Sequence, residues 1–239
     1  MPFTTTVEGQ FAYGRQPTTT QSIINTNLLV YLDAGNLSSY PGSGLTWTDL
    51  SSNANNATSL TGVTYSSSNG GYLSFNGSTG SGSLDSNKYN TSYTGKTVFV
   101  AANLTSLLAG SFRAFVGSGA GARNFNFYMY SPTNGTYQLH FSSGGSGSFS
   151  TNVSYTPGNW FTAAVTHSID GTLVYYFNGV QLNQQTQPFF QYSSPSTEYV
   201  GRADNFWYGP LSVVAVYKTA LSSTEILANH NAVKGRYGL

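Results

Sequence analysis

The chain has 239 residues, of which 7% are charged, and 9 Lys+Arg against 8 Asp+Glu leave a formal net charge of +1. Hydrophobic residues make up 39% and aromatics 15%, which excludes a wholly disordered chain, because disorder needs low hydrophobicity and high net charge. The absence of cysteine removes disulfides, thiolate catalysis and cysteine-ligated zinc, and basic side chains scattered singly from Arg15 to Arg236 do not form the cluster that duplex nucleic acid requires.

Residues 1–26 read as an extended N-terminal arm, rich in Thr, with turn points at Gly9, Gly14 and Pro17 and a strand-like stretch at Phe11–Tyr13. The opening MPFTTTVEGQ carries neither the basic nor the apolar region of a signal peptide. No run of roughly 18 apolar residues offers a membrane span. From Leu28 the pattern changes to short apolar alternations separated by Gly, Asn and Ser clusters. They run LLVYLDAG (28–35), YLSFNG (72–77), KTVFVAANL (96–104), FRAFVGSG (112–119), NFNFYMYS (124–131) and TYQLHFSS (136–143). They continue with WFTAAVTHS (160–168), LVYYFNGVQL (173–182), EYVG (198–201) and LSVVAVYK (211–218). Short strands with frequent turn signals predict a sandwich or barrel. Asp170-Gly171 and Asn178-Gly179 mark tight hairpin turns. The low-complexity patches Ser142–Ser150 and Gly117–Gly121 read as loops. One helix is predicted: Ser222-Ser223-Thr224-Glu225 is a capping box, and Ile226-Leu227 follow in a pattern of one or two turns that fades by Asn231.

In their order and spacing these motifs resemble the laminin-G-like branch of the concanavalin A-like lectin/glucanase jelly rolls. Leu29–Gly35, Trp47-Thr48-Asp49-Leu50-Ser51 and Asn53–Ala57 are similar to the family's opening strand and W-x-D-x-S-G-N-x-N. Tyr72–Gly77 resembles its L-x-F-D-G, with Asn76 in place of the usual Asp. Trp160–Thr162 with Phe177-Asn178-Gly179, and the closing Gly209–Ile226, complete the likeness over residues 27–239. The resemblance implies an all-β fold: a jelly-roll β-sandwich of two antiparallel sheets, with one short C-terminal helix and the arm ahead of it. YLDAGN, YPGSG and the terminal KGRYGL look like the copies carried by phage and other virus structural genes. That implies a virion surface protein, made in the host cytoplasm without a signal peptide. Fold alone does not fix function.

Glycoside hydrolysis needs two carboxylates flanking the scissile bond. The acidic residues are Glu8, Asp33, Asp49, Asp85, Asp170, Glu198, Asp204 and Glu225, and no two lie closer than six positions. No strand therefore offers the adjacent pair that glucanases of this fold carry. Lyases of the fold use a strand Gln-x-His, which Gln138-Leu139-His140 matches, but their R-x-E-x-R strand is missing. His140, His167 and His230 lack metal-ligand spacing. Asp49, near Asn53 or Asn76, is a weak calcium candidate, since calcium takes six to eight oxygens; the competing reading is that Asp49 bonds its own turn. No cofactor is expected.

Carbohydrate binding remains. Alternation along 124–130 turns Phe125, Phe127 and Met129 inward and leaves Asn124, Asn126, Tyr128 and Tyr130 on an open face. Gln138 and His140 would share that face, with Tyr137, Leu139 and Phe141 inward. Loop aromatics Trp207 and Tyr208, near Arg202 and Asp204, form a second candidate. The same face could instead pack on another subunit, and Tyr is common in strands generally. In the arm, Val7, Phe11, Tyr13 and Arg15 are candidate assembly residues that could add a strand to a neighbour's sheet. The expected function is a non-enzymatic virion surface protein that decorates a capsid or forms a head fibre. Its partners would be capsid proteins, further copies of itself (a trimer, by the virion analogy) and host-surface glycan, without nucleic acid or membrane. The alternatives are a tail-fibre or receptor-binding lectin and a polysaccharide lyase-type depolymerase.

Overall fold

Period-two alternation sets the architecture. The computed structural model describes residues 22–85, 93–118, 125–143, 146–189 and 197–239. In it the chain forms β1 (Leu28–Asp33), β2 (Thr58–Thr61), β3 (Val63–Ser66), β4 (Tyr72–Asn76), β5 (Ser81–Leu84), β6 (Gly95–Asn103), β7 (Ser111–Ser118) and β8 (Asn126–Ser131). It continues through β9 (Tyr137–Ser143), β10 (Ser146–Val153), β11 (Trp160–Ser168), β12 (Thr172–Phe177), β13 (Val180–Thr186), β14 (Glu198–Val200), β15 (Tyr208–Tyr217) and the helix α1 (Ser223–Val233). One sheet runs β13-β12-β11-β6-β15-β4-β3, with β1 also paired to β15, and the other runs β10-β9-β8-β7-β14-β5-β2. Every strand pair in both sheets is antiparallel. The sandwich core between them holds Val98, Val100, Phe115, Phe127, Met129, Leu139, Phe141, Val165, Tyr175 and Val214.

The outer faces of the two sheets differ, and the sequence explains why. In the first sheet β6, β11 and β15 are buried almost throughout and read as near-continuous apolar runs, as strands covered on both faces do. What covers them is α1, whose Ile226 and Val233 pack with Phe99, Ala101, Val213, Ala215 and Tyr217. In the second sheet β8 alternates buried and half-buried residues, so the described residues cover one of its faces only in part, and that is the open face.

Three expectations change. The helix continues through Val233 and passes into a short 3-10 turn at Lys234–Arg236, so it is longer than the one or two turns its sequence signals. Its last turn is held by tertiary bonds: Asn229 Oδ1 accepts from the Ile24 amide at 2.7 Å and Thr162 Oγ1 lies 2.8 Å from His230 Nδ1. The two low-complexity patches are not loops where the structure describes them: Ser142 and Ser143 end β9, Ser146–Val153 forms β10 against it, and Gly117 and Ser118 belong to β7. Ile23, inside the expected arm, is 6% exposed within the cluster under α1. Val7, Phe11, Tyr13 and Arg15 lie outside the described residues.

The capping box is present: Ser222 Oγ accepts from the Glu225 amide at 3.3 Å, and Glu225 Oε2 accepts from the Ser222 amide at 2.8 Å. Ser222→Ala is expected to lower stability by about 1 kcal/mol, read as a shift in urea midpoint at unchanged slope. An unmoved midpoint would show that packing alone holds α1.

Candidate functional site

The open face of the second sheet is built from neighbouring strands in register. β8 and β9 pair Tyr128 with His140 and Tyr130 with Gln138, while β7 and β8 pair Phe112 with Tyr130 and Ala114 with Tyr128. Each of these residues points away from the core, whose members from the same strands are Phe127, Met129, Leu139 and Phe141. The rings meet across the strands. Phe112 and Tyr128 have centroids 5.1 Å apart, Tyr128 stacks on the His140 imidazole at 5.1 Å, and Tyr130 meets that imidazole edge-on at 5.0 Å. An amide chain extends the row: Gln138 Oε1 lies 2.9 Å from His140 Nε2, and Gln138 Nε2 donates to Asn152 Oδ1 of β10 at 2.8 Å. The result is a row of aromatic rings joined to amides, with no acidic side chain on it.

The expected residues divide. Tyr128, Tyr130, Gln138 and His140 come together as the alternation predicts. Asn126 lies on the same face but is 7% exposed, and its Oδ1 is committed to the Ser118 amide at 3.0 Å. Asn124 lies outside the described residues. Trp207 does not form an exposed aromatic pair with Tyr208. It is 0% exposed, packed on Phe115 at 4.5 Å, and its indole N–H donates to the Pro210 carbonyl. A large ring next to a sandwich core gains more from burial than from solvent. Tyr208 starts β15 and faces Gly77 and the Arg113 guanidinium rather than the row. Arg202 sits between the rings of Tyr199 and Phe206, at 4.7 and 5.2 Å from their centroids. Phe112 and Asn152 were not foreseen as site residues. A bulge between Ala114 and Val116 reverses the alternation of β7, and only strand pairing brings Asn152 beside Gln138.

Asp49 is fully engaged by its own turn and by the neighbouring strand β1. Oδ1 accepts from the Tyr31 and Ser51 amides, and Oδ2 accepts from Ser51 Oγ and the Asn55 amide, all at 2.6–2.9 Å. Asn76 Oδ1 likewise accepts the amides of Ser78, Thr79 and Gly80. These oxygens are not turned toward a common cation. Among the described residues there is no group of three His, Asp or Glu side chains that could hold a metal.

A concavity of about 400 Å³ lies between the β10–β11 loop and the C-terminal residues, lined by Tyr155, Trp160, Asn178 and Tyr237 among others. There Trp160 stacks on Tyr237 at 4.4 Å and meets Tyr72 at 5.6 Å.

Burial pushes the His140 imidazole down to about 4, and burial also lowers His167 and His230. A histidine whose folded value lies below its unfolded 6.5 takes up fewer protons when folded, so stability is full above that value and is lost as pH falls. We therefore expect stability to hold above neutrality and to decline from about pH 6.5 toward 4. His140 contributes about 1–2 kcal/mol of this, discounted because its ring is partly open to solvent. Urea midpoints measured against pH test this; His140→Gln should flatten the decline, and an equally steep decline in that variant would exclude His140.

A family model described as the concanavalin A-like lectin/glucanases superfamily matches residues 102–227. The chain belongs to that superfamily. Solved structures with the same fold include the binding domain of Paraclostridial Mosquitocidal Protein 1, at 14% identity and a TM-score of 0.66, covering 86% of this chain and 52% of that one. The binding domain of botulinum neurotoxin DC in complex with SialylT is similar, at 13% identity and a TM-score of 0.66, with 87% and 52% covered. Trypanosoma rangeli sialidase follows at 16% identity and a TM-score of 0.63, with 89% and 33% covered. This concanavalin A-like chain thus spans about half of the toxin domains and a third of the sialidase. Identity at this level shows a shared fold. No curated protein sequence matches.

Proposed function

We propose that this concanavalin A-like domain is a non-enzymatic glycan-binding module displayed on a virion surface, with the open face of the second sheet as its site. The observation that carries the reading is the row Phe112–Tyr128–His140–Gln138–Asn152. Aromatic faces take the apolar side of a sugar ring, and flanking amides take its hydroxyls. The toxin binding domain solved with SialylT has the same fold. The placement of acidic residues supports a binding rather than hydrolytic role. Asp33 and Asp49 are tied into turns, Glu198 is buried, and Glu225 caps α1. The virion setting rests on the sequence resemblance, with the arm at Val7, Phe11, Tyr13 and Arg15 as anchor and a homo-oligomer as the assembly.

The lyase reading has one observation in its favour: Gln138, His140 and Tyr130 share a face. Against it, an efficient general base has a pKa near the working pH, and His140 is far below that. A glycan array combined with a turnover assay separates the two. Retained binding without cleavage supports the lectin, unsaturated products lost in His140→Ala support the lyase, and neither binding nor cleavage removes both. Electron microscopy of purified particles tests the setting. Density on the capsid shell supports decoration, density at the tail tip supports a receptor-binding lectin, and absence from particles removes the virion setting.

A further inference from the structure

Three arginines lie among the described residues, and two of them serve the fold. Arg113 donates to the carbonyls of Gly77 and Phe206, and Arg236 clamps Asp33. Arg202 differs. Its guanidinium is half-buried between Tyr199 and Phe206, yet among the described residues it has no carboxylate within ion-pair distance and its side chain donates no hydrogen bond. Asp204, two positions on, is exposed and makes no pair with it. Contact with two rings holds the guanidinium in place, and among the described residues its N–H donors remain unused.

The position matters as much as the chemistry. Gly201 donates to the Phe115 carbonyl at 2.8 Å, and Ala203 lies so close above Gly117 that a Cβ there would come within 2.7 Å of it. Tyr199 is paired with Gly117, and Gly117 with Asn126 of β8. The 201–206 loop therefore lies on the open face, about two strand spacings, roughly 10 Å, from the Tyr128 row. A pair of adjacent sugar rings covers that span.

We propose that Arg202 is a carboxylate-binding subsite at the margin of this face, so that the glycan recognised carries an acidic sugar, a sialic or uronic acid, beside a neutral ring seated on Tyr128. This rests on the glycan-binding reading above. The planar guanidinium fork matches a carboxylate through two parallel N–H···O bonds, which neutral hydroxyls do not reproduce. The Tyr128 row carries no acidic side chain, and the one carboxylate of the 201–206 loop, Asp204, is exposed and makes no ion pair with Arg202.

The test is a glycan array of sialylated and uronic-acid-containing oligosaccharides beside their desialylated and carboxyl-reduced counterparts. It is probed with the wild-type protein, Arg202→Gln and Tyr128→Ala. The wild type should bind the acidic members of at least one series about tenfold or more tightly than their neutral counterparts. Arg202→Gln should bring that ratio close to one, whereas Tyr128→Ala should weaken acidic and neutral members together. The wild-type comparison needs no variant to fold, because the carboxylate is removed from the ligand. Equal binding of acidic and neutral members, or an unchanged ratio in Arg202→Gln, overturns the subsite and leaves the glycan-binding face standing. Failure of the wild type to bind any member overturns both.

Discussion

Replacing Asp33 by alanine is expected to lower the unfolding free energy by about 3–5 kcal/mol, the loss typical of breaking a buried charge pair from one side. The Asp33 side chain is 2% exposed at the end of β1 and receives Arg236 through two parallel bonds of 2.6 and 2.8 Å. The same carboxylate accepts from the Gly35 amide at 2.9 Å and the Tyr31 hydroxyl at 3.1 Å. The pair joins the first strand to the chain's last turn, and Arg236 also lies over Gly35 and Gly70, where a side chain would strike it. Deleting the carboxylate leaves a guanidinium with 31% exposure and an amide without their acceptors. Urea unfolding of Asp33→Ala, Arg236→Met and the double variant would measure this. A coupling energy near zero, or a loss below about 1 kcal/mol in Asp33→Ala, would show that the clamp contributes little.

Tyr128→Ala is expected to weaken glycan binding by about thirtyfold or more, the scale of a central aromatic anchor. Tyr128 is flanked by Phe112 and His140, so its truncation removes the middle of the row rather than its edge. Its side chain lies on the open face, outside the sandwich core, and the stability cost should remain small. Tyr128→Phe keeps the ring and should retain most of the affinity. Titration calorimetry of the three proteins with one array-selected oligosaccharide decides. A Tyr128→Ala variant that binds as the wild type does would move the site off this face, while equal losses in Tyr128→Phe and Tyr128→Ala would assign the contribution to the hydroxyl.

The long strands of this protein, its fold class and four residues of its candidate row are legible in the sequence, because a strand's two faces follow directly from residue parity; the short β2, β3 and β5 and the Ser-rich β10 are not. Phe125, Phe127, Met129, Tyr137, Leu139 and Phe141 are buried as that parity requires, and Tyr128, Tyr130, Gln138 and His140 face the other way. The capping box at Ser222 is equally local: four consecutive residues contain the whole interaction. The remainder depends on which strands become neighbours, and parity carries no information about that. Phe112 joins the row only because a bulge in β7 reverses its alternation, and Asn152 joins because the Ser-rich segment pairs with β9 instead of looping. Trp207 looks like a loop aromatic in sequence yet fills the core beside Phe115, since the burial of a large ring is settled by the space left between two sheets. Arg202 is the clearest case. The sequence names it beside Trp207 and Tyr208, and its partners Tyr199 and Phe206 are within four residues of it, but that no carboxylate among the described residues reaches it is a property of the assembled fold.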